Sequence, residues 1–191
     1  MFVSRVPSPF TQSEYEGRIS KVREGMKSRR IDALMVNAPE NLYYLTGHNT
    51  TGYYTYQTLI LPLRGEPTIV TRLNEKMNVE YRTNIKQGSY YGDEEDPIEV
   101  AATSVIDARL NKTTIGVEKR IRKAFLTIDE FERLRKKLPE VRFVDGSGIV
   151  ESCRLIKSKT ELEYVRQAAK ITDKAMWAAI NATSEGKLDS E

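Results

Sequence analysis

One histidine, one cysteine and ten tyrosines bound the side-chain chemistry available to this 191-residue chain. The histidine and five of the tyrosines fall in a single stretch, residues 38–62, APENLYYLTGHNTTGYYTYQTLILP. One imidazole and one thiol cannot supply an N/S zinc site. A histidine-based nucleophilic triad would have only His48 to use. Neither G-x-x-x-x-G-K-[ST] nor G-x-G-x-x-G occurs, which removes the two common backbone cradles for phosphate. DGSG at 145–148 reads as a glycine turn. Ser–Lys and carboxylate chemistry stay open by counting, with no motif for either, and the feature that stands out is the tyrosine-rich stretch itself. A buried strand needs apolar side chains, and a solvated loop does not need five phenol rings, so the segment reads as a wall built to touch something.

A second cluster, Asp93 to Asp96, invites a metal or acid–base reading. Helix-start chemistry accounts for it better. Asp96 reads as an N-cap, Pro97 as the first helical residue and Glu99 as the capping-box partner. Asp93, Glu94 and Glu95 then add negative charge beside the positive end of that helix.

The elements that must hold these residues follow from periodicity and caps. Thr11 with Glu14 as its box partner, and a Phe10–Tyr15 staple, start a helix over about 12–29. Its inner face is Tyr15, Ile19, Val22 and Met26. Residues 31–37 form a buried strand that stops at a turn signal, Ala38–Pro39. Residues 58–63 and 67–73 flank Arg64–Gly65–Glu66 as a β-hairpin. A short helix over 74–83 and a strand over 85–92 follow. The helix begun at Asp96 carries Ile98, Ala101, Val105 and Ala108 inward. Residues 113–118 are a strand. Thr127 caps a helix with Phe131, Leu134 and Leu138 inside and Arg133, Arg135, Lys136 and Lys137 as a solvated basic side, and 141–145 is a further strand. Strands alternating with helices give an α/β layer fold, with helices on both faces of a sheet that the hairpin makes mixed.

Beyond residue 150 the pattern changes. Ser158 and Glu161 make a capping box for a long helix whose apolar stripe is Leu162, Val165, Ala169, Thr172, Met176 and Ala179, with Trp177 beside it. A stripe of that length must be buried against something. Another subunit, or a continuation of the polypeptide, would cover it, and a truncated chain is the expectation. The formal net charge of +3 comes from interspersed signs, so a nucleic-acid partner is not expected. One cysteine allows no internal disulfide, which fits the cytoplasm; Cys153 reads as a small apolar filler. The first ten residues lack the apolar core of a signal peptide, and no run approaches the ~20 apolar residues of a membrane span.

RISKVREGMKSRRIDALMVNAPENLYYLTGH, starting at Arg18, resembles the beginning of creatinase and Xaa-Pro dipeptidase (prolidase) relatives. FVDGSGIVESCRLIKSKTELEYVRQAAKITDKAM, starting at Phe143, resembles the junction where their N-terminal domain meets a pita-bread catalytic domain; IGVE at 115–118 falls where the family has a similar strand. The resemblance implies a creatinase N-terminal-like, ribonuclease H-like domain over residues 1–150. Residues 151–191 are then the junction and first long helix of a C-terminal catalytic domain. The family's two divalent metals (such as Mn, Co or Zn), held by two Asp, one His and two Glu, belong to that second domain. The chain as given should bind none of them and be inactive. In creatinase-like homodimers the N-terminal domain of one subunit leans over the active site of the other, which implies substrate contacts in trans from His48, Tyr53, Tyr54, Tyr56 and Gln57. Tyrosine suits the task, since its ring packs on a small ligand and its hydroxyl makes one directed hydrogen bond.

The long aromatic link after Gly47 resembles creatinase and ectoine hydrolase more than simple dipeptidases. Thr55 stands where creatinase has an arginine for a carboxylate, and YYTYQ is closer to the ectoine-hydrolase version. Dipeptide, creatine-like and ectoine-like substrates all remain open. Blander roles stand beside these: His48 as a hydrogen-bonded histidine, Tyr53, Tyr54, Tyr56 and Gln57 as dimer interface, and Tyr43, Tyr44 and Leu45 as core. If the following strand starts early, Tyr54 and Tyr56 share a face, with Tyr53 and Gln57 opposite. The alternative function is a free-standing small-molecule-binding α/β module without catalysis.

Overall fold

A computed structural model describes residues 8–119 and 126–188. Compactness divides the chain into two units, residues 1–154 and 155–191. The larger is built on a six-stranded sheet: β1 (Ala33–Val36), β2 (Thr58–Pro62), β3 (Thr68–Arg72), β4 (Gln87–Tyr91), β5 (Thr114–Val117) and β6 (Arg142–Asp145). Their spatial order is β4-β3-β2-β1-β5-β6. β1 pairs with β2, and β2 with β3, antiparallel. The pairs β3–β4, β1–β5 and β5–β6 are parallel. All six expected strands are present, and the sheet is mixed for the expected reason, the β2–β3 hairpin.

Helices cover both faces, as the alternation along the strands requires. Leu34, Val36, Leu59, Leu61 and Ile69 point to one side, under α1 (Gln12–Ser28), α2 (Pro39–Thr46), α3 (Lys76–Arg82) and α6 (Ile149–Leu155). Ala33, Met35, Ile60, Val70, Ile115 and Val117 point to the other, under α4 (Pro97–Asp107) and α5 (Ile128–Lys137). A one-residue slip of any strand would swap these sets, so burial of both faces fixes the register.

α2 departs from the expected turn. Pro39 sits at its first turn, where a missing N–H costs nothing, so Ala38–Pro39 opens a helix rather than ending a strand. Gly47 stops it, in the left-handed region at φ 78°. Tyr44 and Leu45 are buried as expected, but Tyr43 lies on the outer side of this helix and is exposed. At α1, Thr11 accepts from the Glu14 amide and Phe10 meets the Tyr15 ring edge-on at 6.0 Å. The Glu14 carboxylate, however, turns to Arg18 instead of closing a box. Arg18 is itself buried, stacked near Phe10 and Tyr44 with its guanidinium donating to the Tyr44 carbonyl at 2.9 Å, and so ties α1 to α2.

Asp96 caps α4 through the Ile98 amide as expected. Glu99 does not close the expected capping box but pairs with Lys137, and Asp96 pairs also with Arg133. Two residues of the basic side of α5 therefore bridge to α4 instead of facing only water. Ala108 is exposed, the C-cap of α4, and Leu110 takes the buried place near it. In the second unit, α7 (Lys159–Ala182) carries the complete Ser158–Glu161 capping box, and none of its residues is buried.

Candidate functional site

The parallel strands β1 and β5 lie side by side, but the chain leaves β1 through α2 on one face and leaves β5 toward α5 on the other. Their carboxyl ends therefore flank a point where the winding direction switches, the place where open α/β sheets form crevices. Asn37 and Glu118 stand at these two ends. Ala38, the N-cap of α2, has no side chain able to cap. Glu118 does that work from 80 residues away, Oε2 accepting from the amides of Asn37 and Ala38, both at 2.8 Å.

Around that carboxylate a polar chain runs from the buried Asn41 to the half-buried Glu151 and Arg154. Asn41 Nδ2 donates to Glu118 Oε1 at 2.5 Å and to Glu151 Oε1 at 3.0 Å. Asn41 Oδ1 accepts from Arg154 Nη1 at 2.7 Å, and Glu151 Oε2 accepts from the Gly148 amide at 2.9 Å. Burial pushes the Glu118 carboxyl up to about 7, against the three donors that favour its ionised form; the Glu151 charge adds to the rise. A carboxyl near 7 has the proton affinity of a general base. Its oxygens, however, are taken by α2 and Asn41, so the arrangement anchors a helix.

α2 in turn leads into the tyrosine segment, and the structure divides the five candidates there. His48, Tyr56 and Gln57 are buried. The His48 amide donates to Thr46 Oγ1 at 2.9 Å. Neither of its ring nitrogens makes a well-aligned hydrogen bond among the described residues. Burial holds its pKa below the usual value, and the nearby Glu75 and Gln57 only partly offset that; His48 is thus a neutral imidazole at pH 7. Tyr56 points into the apolar cluster beneath α4 and α5, where burial drives its phenol well above the usual range. Its carbonyl accepts from Tyr91 Oη at 2.6 Å. The Gln57 carbonyl accepts from Asn37 Nδ2 at 3.0 Å.

Tyr53 and Tyr54 are the outward pair, 48% and 78% exposed, with rings edge-to-face at 6.1 Å. Because β2 starts only at Thr58, no strand alternation places Tyr54 with Tyr56. The pair sits on a turn closed by Thr55, whose amide and hydroxyl both donate to the Gly52 carbonyl, at 3.0 and 2.8 Å.

Glu118, Asn41 and Glu75 were not among the candidates read from sequence. One signal does point to Glu118: a Pro-started helix with alanine at its N-cap needs an acceptor from elsewhere, and strand ends are where one can come from. Cys153 is partly buried, with burial raising its thiol. Among the described residues, no group of three or more His, Cys, Asp or Glu is placed to hold a metal ion. They therefore do not fit the ligand set of a two-metal centre.

The comparisons with known proteins agree with this architecture. Ectoine hydrolase of Halomonas elongata is 34% identical over 180 residues, 87% of this chain and 44% of its own length. The Xaa-Pro dipeptidase of Pyrococcus horikoshii is 26% identical over 91% of this chain and 44% of its own. The chain thus spans somewhat under half of each. A crystal structure of recombinant prolidase from Thermococcus sibiricus superposes with a TM-score of 0.76 at 24% identity, over 91% of this chain and 46% of that one, which establishes the fold. The family model for the creatinase/prolidase N-terminal domain matches residues 18–156, from the buried Arg18 to just past the end of α6. The chain belongs to the creatinase/prolidase N-terminal domain family.

Proposed function

We propose that this chain is the pocket-completing, dimer-supporting N-terminal domain of a metal-dependent hydrolase of C–N bonds. Residues 1–150 form that domain and 151–191 the junction and first helix of the catalytic domain. The observation that carries the reading is the outward Tyr53–Tyr54 pair on a turn closed by Thr55 and set between the buried His48 and the buried Tyr56 and Gln57. Two exposed phenols on an anchored turn have the form of a ligand-contacting wall. In this reading Tyr53 and Tyr54 reach the partner subunit's substrate, while His48, Tyr56 and Gln57 shape the base from which they project. Two divalent ions of the second domain supply activated water when bound, and this chain's own residues bind and orient the substrate. An ectoine-like substrate is favoured over a dipeptide by the similarity to ectoine hydrolase.

Mixing subunits tests this. One full-length subunit lacks the catalytic metal ligands, and the other carries Tyr53→Ala and Tyr54→Ala. Sharing across the interface predicts recovered activity in the heterodimer, because one site then combines an intact metal centre with intact tyrosines. Absence of recovery in a confirmed heterodimer would refute it.

A further inference from the structure

Below the Tyr53–Tyr54 turn lies a carboxylate that neither the strand ends nor the core require. Glu75 ends the 3-10 turn Leu73–Glu75 that leads into α3, and its two oxygens serve different partners. Oε1 accepts from the Thr50 hydroxyl at 2.6 Å and Oε2 from Asn78 Nδ2 at 2.8 Å. With its O–H donating to Glu75, the Thr50 oxygen has its lone pairs free to accept from the Gly52 amide, at 2.9 Å. Asn78 Nδ2 also reaches the Asn49 carbonyl at 2.9 Å, so Glu75 and Asn78 together hold the two residues, Asn49 and Thr50, that lead into the turn. Gly52 then passes the constraint to Thr55 through its carbonyl. A methyl group at Gly52 would stand 3.3 Å from Thr50 Oγ1 and 3.5 Å from Glu75 Oε1, so the main chain is drawn down onto this pair.

We propose that Glu75 is a positioning residue: through the Thr50 hydroxyl it sets the height and direction of the Tyr53–Tyr54 turn toward substrate, a role that rests on the function proposed above. The direction of the hydrogen bonds makes the device specific. A carboxylate can only accept, so the Thr50 hydroxyl must donate to it and present its lone pair to Gly52. Serine at position 50 keeps that relay, and valine, of nearly the same shape, abolishes it.

The test uses Thr50→Val, Thr50→Ser and Glu75→Ala, first in this chain by amide hydrogen exchange and then in the full-length parent by kinetics. Loss of one charge-assisted link should speed exchange of the 50–55 amides by about ten-fold or more in Thr50→Val and Glu75→Ala. Thr50→Ser should exchange as wild type, and β1 and β5 should be unaffected in all three. In the parent, assayed with whichever of ectoine, creatine or an Xaa-Pro dipeptide it turns over, KM should rise by about three- to ten-fold with kcat nearly constant, the signature of binding lost equally from the ground and transition states. Unchanged exchange in Thr50→Val overturns the clamp whatever the kinetics. Faster exchange with unchanged KM leaves the clamp standing and overturns its role toward substrate, together with the pocket reading. Should Glu75→Ala unfold α3, the Val/Ser comparison at position 50 decides alone.

Discussion

Glu118 keeps a titratable carboxyl where water scarcely reaches, and that gives its neighbourhood a pH signature. In the folded chain the group holds its proton up to about pH 7, against 4.5 for an ordinary glutamate. Between those values the native state binds more protons than the unfolded state, so its contribution to stability is greatest below pH 4.5 and is lost as pH rises to 7. The size is on the order of 3 kcal/mol. Urea denaturation across pH 4.5–7.5 should show that slope in wild type and not in Glu118→Gln. An equal slope in both would assign it to other groups. The tyrosines separate at the same scale. Tyr56→Ala removes a buried ring and should cost about 3 kcal/mol or more. Tyr54→Ala, largely exposed, should stay within about 0.5 kcal/mol. Paired denaturation curves measure both, and equal losses would mean that Tyr54 also supports the core.

At the scale of elements, α2 shows where sequence reading stops. Strands announce themselves through runs such as ALMV and TLILP, and α1, α5 and α7 through caps that lie beside them in sequence. α2 has eight residues, an alanine at its N-cap and a proline that reads equally well as a turn. Its capping group, Glu118, comes from just past the end of β5, which no local window contains. The same distance hid Glu75, whose partner Thr50 is 25 residues away. At α5 the pattern gave the right face but not the partners of Arg133 and Lys137, since a charge run does not say which opposite charges folding brings near. Although burial alone would raise it, the Ile98 amide and Arg133 guanidinium hold the Asp96 carboxyl below its ordinary value. That pair strengthens above the carboxylate range and weakens as pH falls through it. α7 behaves as a separate case. Its cap is complete and its apolar residues, including Val165, Met176 and Trp177, are exposed. Its amides should exchange within the range of a marginal isolated helix, far faster than those of β1, unless concentration drives self-association. Strong uniform protection along 159–181 in a monomeric sample would contradict that.

For the whole molecule, the six strands, their mixed arrangement and the two covered faces were legible because burial on both sides of a sheet writes near-continuous apolar runs. The candidate site was legible only as a composition, tyrosines beside a glycine turn. Which tyrosines face out was not, because that depends on where β2 begins and on what Asn37, Asn41 and Glu118 do at the ends of β1 and β5. The scattered acids carry a global expectation as well. Titration calorimetry of the purified chain with manganese, cobalt or zinc should find no stoichiometric site of micromolar affinity or better. A tight site mapped to its carboxylates would place metal chemistry in this domain after all.

The long reach from Glu118 to Asn37 also sets a timetable for biosynthesis. The two are 81 positions apart. At ~5–20 residues per second, the ribosome takes roughly 4–16 s to bridge that interval. Through that delay α2 has no acceptor at its amino end, and the central strand β1 has β2 for a neighbour but not yet β5. The middle of the sheet is therefore completed after its β2–β3 hairpin has been made. A nascent chain stalled short of residue 114 is left with β1 paired on one side only, its open edge available to chaperones and proteases.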